Sequence, residues 1–430
     1  MKFTRAIIAT ALISTNTHAA EFIAKINNPS VKSLSQAGLE IKEAIFPSLG
    51  LYLLKDSEKS VEASLEKAKL NADIEMAFAN EKMQLRSTPN DPSFKDQWGL
   101  QATQATGAWK LGTGGETADR DDVVVAVVDN GTDINHADLV NNLWVNTAEV
   151  AGNGVDDDKN GYVDDINGWN GYNNSGSIPA GMHGTHVSGI VGAEGNNGRQ
   201  VSGVNWNVKI MPIAASSGDI AVVLKGYNYA LEQKKAWLDS KGTKGANVVV
   251  TNSSFGIDGA RCSDARYKVW NDVYNAMGEV GILSAAATAN QAWDIDNTGD
   301  VPTSCESNYI IAVTNTTKQD KLFNQAGWGL TTVDLGAPGT EVLSTVPGNK
   351  TSNLTGTSMA TPHVAGAVAL MHAVASQSFV KFAKEQPANA ALKLKEIMLK
   401  TTDALSDLKG KTVTGGRLNL KNASEAISRY

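Results

Sequence analysis

The chain has 430 residues, with 38 Lys and Arg against 45 Asp and Glu, and a formal net charge of −7. That acidic balance argues against a nucleic-acid partner, which favours basic faces. No repeat or low-complexity tract breaks the sequence, and its length is ample for one large core beyond a leader and a small first unit.

The amino terminus reads as a signal peptide over residues 1–19. Lys2 and Arg5 precede an apolar stretch from Ala6 to Ile13, and small residues follow at Thr17-His18-Ala19. The stretch is too short for a membrane span, and no later stretch approaches the length of one. The chain is therefore expected outside the cytoplasm, secreted or periplasmic. Residues 20–86 are richer in Lys and Glu and lack tryptophan. Phe22–Ile26 and Leu51–Leu54 read as strands and Val61–Lys69 as an amphipathic helix, a small α+β unit.

The larger remainder, residues 87–430, carries the chemistry. Val123–Val128 is an unbroken apolar, β-branched run, the pattern of a central parallel strand covered on both faces. It ends in Asp129, where open α/β sheets gather their sites. Next comes the acidic segment Asn153–Asp165. Asp156, Asp158, Asn160, the carbonyl of Tyr162 and Asp164 stand at spacings of a calcium loop, although Asn167 replaces its final glutamate. Crowded carboxylates repel unless a cation sits among them, so calcium is expected, with a solvated acidic loop as the alternative.

Gly181–Gly189 then places His183 at the start of a small-residue helix. Leu283–Asn290 is a small-residue strand ending in Asn290. Asn353–Gly366 delivers Ser358 from a glycine-rich turn onto a helix expected over Met359–Gln377. Alone, each of these residues has a bland reading: a turn former, a cap or metal ligand, an N-cap. Together, Asp…His…Ser is one of the chain orders in which nucleophile, base and orienter recur. Cys262 and Cys305, an even pair in an exported chain, suggest one disulfide, with two buried thiols as the alternative.

The strings "HGTHVSG" and "GTSMATPHVAG", in this order after "VVVAVVDNG", resemble the signature blocks of subtilisin-like serine proteases, from about Asn90 onward. The resemblance implies a three-layer α/β fold with a mostly parallel central sheet, and a serine endopeptidase working through an acyl-enzyme. It makes Asp129 the orienter, His183 the base, Ser358 the nucleophile and Asn290 the oxyanion donor, with His186 a packing residue. It makes residues 20–86 a removable pro-segment that inhibits its own catalytic domain, cut near Leu85-Arg86-Ser87. It implies a second calcium site from Asp91, Asp138 and Asn197, and no catalytic cofactor. Protein or peptide substrates of a monomer are implied, with S1 walls at Ser253-Ser254-Phe255-Gly256 and Ala286-Ala287-Thr288. Those walls are small and apolar, no acid stands out in either, and a hydrophobic P1 residue is expected.

One departure stands out. The family places glycine before the oxyanion asparagine, and here Ala289 occupies that position. If a positive φ were required there, alanine would strain the loop. The alternative function is accordingly a catalytically impaired peptide-binding protein of the same fold.

Overall fold

Successive residues of the run ending at Asp129 enter two different cores. Val125 and Val127 pack among Val187, Ile190, Val364 and Val368, whereas Val124, Ala126 and Val128 pack among Tyr227, Trp270 and Tyr274. A strand covered on both faces has no wet side, so its sequence shows no alternation. The computed structural model describes residues 20–27, 31–56, 60–80 and 88–430. The expected signal peptide and the expected cut near Leu85-Arg86-Ser87 lie outside the described residues. The chain divides into two units, residues 1–84 and 85–430.

The smaller unit runs β1 (Ala20–Ile26), α1 (Val31–Gln36), β2 (Leu39–Phe46), β3 (Leu51–Asp56), α2 (Val61–Lys69) and β4 (Ile74–Ala79). Its strands form an antiparallel sheet in the order β2-β3-β1-β4. Buried and half-buried residues alternate along β1, so only one face is covered. Phe22, Ile26, Leu34, Leu54 and Ala68 form that core. Ser60 caps α2, its hydroxyl accepting from the Ala63 N–H. The edge strands β2 and β4 escaped the sequence reading because half or more of each is exposed and charges interrupt them.

The larger unit begins with α3 (Trp98–Ala102), α4 (Ala105–Ala108), β5 (Val124–Asp129), β6 (Trp169–Asn170), α5 (Met182–Gly192) and β7 (Lys209–Ala214). It continues through α6 (Ile220–Asp239), β8 (Val248–Ser253), β9 (Ile257–Asp258), α7 (Val269–Glu279), β10 (Leu283–Ala287), α8 (Ile295–Thr298), β11 (Asp300–Val301) and β12 (Ile310–Thr316). The rest comprises β13 (Leu335–Pro338), β14 (Val342–Val346), β15 (Lys350–Leu354), α9 (Thr357–Val374), α10 (Gln377–Glu385), α11 (Pro387–Lys400), β16 (Asp403–Ala404), β17 (Gly416–Arg417) and α12 (Leu420–Ile427).

Nine strands form one sheet in the order β16-β17-β13-β12-β10-β8-β5-β7-β6. All its strand pairs are parallel except β16 with β17 at one edge. Helices α5 and α9 cover one face, and α6 and α7 the other, giving the α/β layering expected. From β5 the chain proceeds to β7 on one side and then to β8 on the other. The sheet order therefore reverses at β5, and the carboxyl end of that strand faces the crevice where such sheets bind ligands.

Helix α9 starts at Thr357 and ends at Val374, short of the expected Gln377, where α10 begins after a 109° bend. Among the described residues no single helix is long and apolar enough to cross a membrane; the bent pair α9–α10 meets that test only jointly, and α9 is buried in the core. Cys262 and Cys305 are joined as a disulfide, with Cα atoms 4.9 Å apart.

Candidate active site

Asp129 is the last residue of β5 and is buried, while His183 is the second residue of α5. Their close approach depends on the next residue. A Cβ on Gly184 would fall 2.1 Å from the carbonyl oxygen of Gly131 and 3.0 Å from the Asp129 Cβ, so only glycine lets α5 start this near the strand end. Nδ1 of His183 then lies 2.9 Å from each carboxylate oxygen of Asp129. The aspartate is held in turn by the Asn130 N–H at 2.7 Å, and the Gly184 N–H donates to the Asn130 side chain. Burial depresses the His183 pKa, but the hydrogen bond and charge of Asp129 outweigh it, and the net shift is upward. His186 sits one turn on, fully buried, with Nε2 3.0 Å from the carbonyls of both Val342 and Ser352. Burial lowers its pKa to about 4, so it remains a neutral tie between α5 and the β14–β15 hairpin.

Ser358 is the second residue of α9. Pro362, four residues on, has no N–H to give the Ser358 carbonyl, which instead accepts from the Ser254 hydroxyl at 3.0 Å. The Ser358 Oγ donates to the Ser254 carbonyl at 3.2 Å. No hydrogen bond joins Ser358 to His183 among the described residues; such contacts often tighten only when substrate arrives. The backbone N–H of Ser358 takes no partner among the described residues, as expected in a first helical turn.

The Asn290 carbonyl oxygen Oδ1 accepts from the Thr357 N–H at 2.9 Å and the Thr357 hydroxyl at 3.1 Å. With Oδ1 fixed, Nδ2 is left as a donor with no partner among the described residues. It stands beside the Ser358 turn: a Cβ on Gly356 would lie 3.6 Å from it. Ala289 does not adopt a positive φ. The strain expected from replacing glycine is therefore absent. Its N–H donates to Asp300 and its carbonyl accepts from the Gly327 N–H at 2.8 Å.

The two segments expected to wall the substrate cleft are the ends of adjacent parallel strands, with Ala286 paired to Ser253. Ser253, Ser254, Ala286, Ala287 and Thr288 are buried, and Phe255 and Gly256 are more open. The sequence reading found no acid in either wall. The structure brings one from elsewhere: Asp300, buried, ten positions past Asn290, with no local pattern to mark it.

The expected calcium ligands divide differently. Asp91 and Asp138 are both buried; Asp91 accepts from the Asn196 N–H at 2.6 Å and Asp138 from the Asn197 amide at 3.0 Å. Asp91 Oδ1 is buried without a partner among the described residues, and burial plus the Asp138 charge raise the Asp91 pKa. The orphaned Asp91 oxygen fits a hard cation, whereas Asn197 turns its amide donor to Asp138 and its Oδ1 accepts from the Arg199 N–H. In the acidic loop the converging carboxylates are Glu149, Asp158 and Asp165, whose ligand oxygens lie within 4.8 Å of one another. Of the five expected positions only Asp158 is in that group. Asp156 turns to the N–H groups of Asn160 and Gly161, and Asp164 to those of Gly152, Asn153 and Gly154. The Asn160 amide reaches Asp158 and Asp165, and the Tyr162 N–H returns to Asn160. Burial raises Asp165 to about 6. Glu149 lies before the loop pattern and Asp165 falls off its spacing, so neither was visible as a candidate ligand.

Comparison with known proteins extends this geometry. A model described as "Subtilase family" matches residues 120–420. The Major intracellular serine protease of Bacillus subtilis is 31% identical over 301 residues, covering 68% of this chain and 80% of that protein. Subtilisin-like protease 1 of Plasmodium vivax is 33% identical over 306 residues, 66% of this chain and 45% of that protein. The chain thus spans less than half of the first curated relatives it matches. Among solved structures, a protease from Pseudoalteromonas arctica superposes with a TM-score of 0.56 at 24% identity, over 79% of this chain and all of that one. The epidermin leader peptide processing protease of Staphylococcus aureus gives 0.57 at 18% identity, over 95% and 98%. At those identities the structures speak for the fold alone.

Proposed function

The chain belongs to the subtilase family, and from that premise we propose that it is a serine endopeptidase, exported by its first 19 residues as a zymogen. The observation that carries this reading is the Asp129–His183 pair at 2.9 Å, together with Ser358, whose own N–H and neighbouring Asn290 Nδ2 take no partner among the described residues. His183, its Nδ1 proton held by Asp129, presents Nε2 as the base for the Ser358 hydroxyl. The alkoxide oxygen attacks the peptide carbonyl carbon, and the Ser358 N–H and Asn290 Nδ2 stabilise the resulting oxyanion. His183 returns the proton to the leaving amine, and water repeats the sequence to release the acyl group. With φ at Ala289 not positive, the impaired-binder alternative loses its main support.

Residues 20–86 serve in this reading as the pro-segment that inhibits its own catalytic domain until cut away near Leu85-Arg86-Ser87. Their own sheet and core support a unit that folds as such. The mature enzyme would act as a monomer, secreted or periplasmic, on protein or peptide substrates. Asp91, Asp138 and Asn197 would hold one structural calcium, and Glu149, Asp158 and Asp165 another. On the two walls alone the P1 side chain would be hydrophobic, but the Asp300 carboxylate is at odds with a purely apolar occupant.

Intact mass and the amino-terminal residue of wild type and Ser358→Ala, both made with calcium, test the reading. Wild type is expected to lose residues 20–86 while the alanine variant retains them. Both staying full-length, with wild type inert on peptides, would overturn it.

A further inference from the structure

The ends of β8 and β10 flank the nucleophile directly. Ser254 exchanges two hydrogen bonds with Ser358, and the Thr288 carbonyl accepts from the Thr357 hydroxyl at 2.5 Å. The side chain of a substrate residue whose carbonyl meets the Ser358 Oγ must therefore lie between those ends. Asp300 spans them. It opens β11, which pairs antiparallel with β9 just past β8, Asp300 facing Asp258 and Val301 facing Ile257. Its Oδ2 accepts from the Ala289 N–H at 3.1 Å and the Thr303 hydroxyl at 2.5 Å. Its Oδ1 points to the other wall: a Cβ on Gly256 would lie 3.1 Å from it. That oxygen is buried and has no partner among the described residues.

We propose that Asp300 forms the floor of the S1 cleft and selects a cationic P1 residue, arginine or lysine; this rests on the protease reading of the same site. A buried carboxylate oxygen with no donor is unfavourable, and the charge that acts on Asp300 is that of another acid, Asp258. Among the described residues no Lys or Arg forms an ion pair with Asp300 or Asp258. Burial, then Asp258, raise the Asp300 pKa to about 7, so an incoming cation would restore its ionised form. Gly256 has no side chain to cover Oδ1, where a Cβ would stand 3.1 Å from it. The methylene stem of a lysine or arginine suits small apolar walls while its charged end meets the carboxylate. An apolar P1 residue would leave that carboxylate unpaired. The chain also offers such a P1 residue of its own: Arg86, two residues past the division between the units and at the expected cut.

The test compares wild type and Asp300→Asn on four fluorogenic peptides differing only at P1: Arg, Lys, Leu and Phe. Labelling by a fluorophosphonate, with Ser358→Ala as control, reports independently whether the nucleophile is live. Wild type is expected to cleave the Arg and Lys peptides fastest. The amide of the Asp300→Asn variant keeps an acceptor for the Ala289 N–H but loses the charge, so the Arg-to-Leu ratio of kcat/KM should fall on the order of 100-fold. The proposal is overturned if wild type prefers Leu or Phe, if labelled enzyme cleaves none of the four, or if the variant slows all four equally. That last outcome would leave Asp300 only a tether for the oxyanion strand. If Ser358 is not labelled and nothing is cleaved, the protease reading fails first and this proposal with it.

Discussion

Asp129 grips His183 symmetrically: one imidazole nitrogen lies 2.9 Å from both oxygens of one buried carboxylate. This orients the ring and favours its protonated form, which raises the histidine pKa despite burial. General-base catalysis needs the neutral form. The acidic limb of kcat/KM against pH should therefore lie above the ordinary imidazole value of about 6.5. Asp129→Asn should lower kcat by about 10⁴-fold and move that limb to lower pH. A pH–rate profile of both proteins, with a limb that does not move, would remove Asp129 from this role.

Asn290→Ala should reduce kcat by about 100- to 1000-fold with little change in KM, because its amide donates to charge that exists only in the transition state. The expectation depends on Thr357 holding Oδ1 and so directing Nδ2 toward the reaction. Steady-state kinetics on one peptide decides it. A loss confined to KM would make Asn290 a ground-state contact.

Calcium should raise the melting temperature of the Ser358→Ala protein, in which self-digestion cannot confuse the readout. At a free ion concentration of 100 times Kd, each site would add about 2.7 kcal/mol. Asp91→Ala should remove one part of the calcium-dependent shift and Glu149→Gln another, since the two clusters share no residue. A shift unchanged by either substitution would place the ions elsewhere.

Lys234 is buried on α6, with its ammonium on the Asn247 side chain rather than on a carboxylate. Burial lowers its pKa to about 7, far below its unfolded value. The unfolded chain thus binds more protons here than the folded one, so this residue makes stability rise with pH from about 7 toward 10. Lys234→Met should raise the melting temperature most near pH 7 and progressively less at higher pH. Equal gains at pH 7 and 9 would argue against a neutral lysine in the fold.

What the sequence made legible was chemistry written in consecutive residues. Asp129, His183 and Ser358 each sit where a strand ends or a helix begins, and their glycine and small-residue neighbours mark those junctions. The both-face-buried strand β5 was legible for the same reason, since burial alone erases alternation. Asp300 was not, because its place between two walls comes from pairing β11 with β9, a contact of only two residues per strand. Glu149 and Asp165 were hidden by a loop pattern that invited a different ligand set. Ala289 misled in the other direction: the glycine habit of that position suggested strain, but its backbone keeps an ordinary φ.

The latest segments of the large unit complete its earliest ones. β17 pairs with β13, the Leu420 N–H donates to the Thr103 carbonyl at 2.8 Å, and Arg417 draws together Asp403 and Asp320. A chain emerging amino end first therefore holds its aspartate, histidine and serine long before α12 arrives to seat beside α4. Contacts so distant along the chain form slowly. Closure of the large unit thus waits for its last helix, which follows Ser358 in the chain.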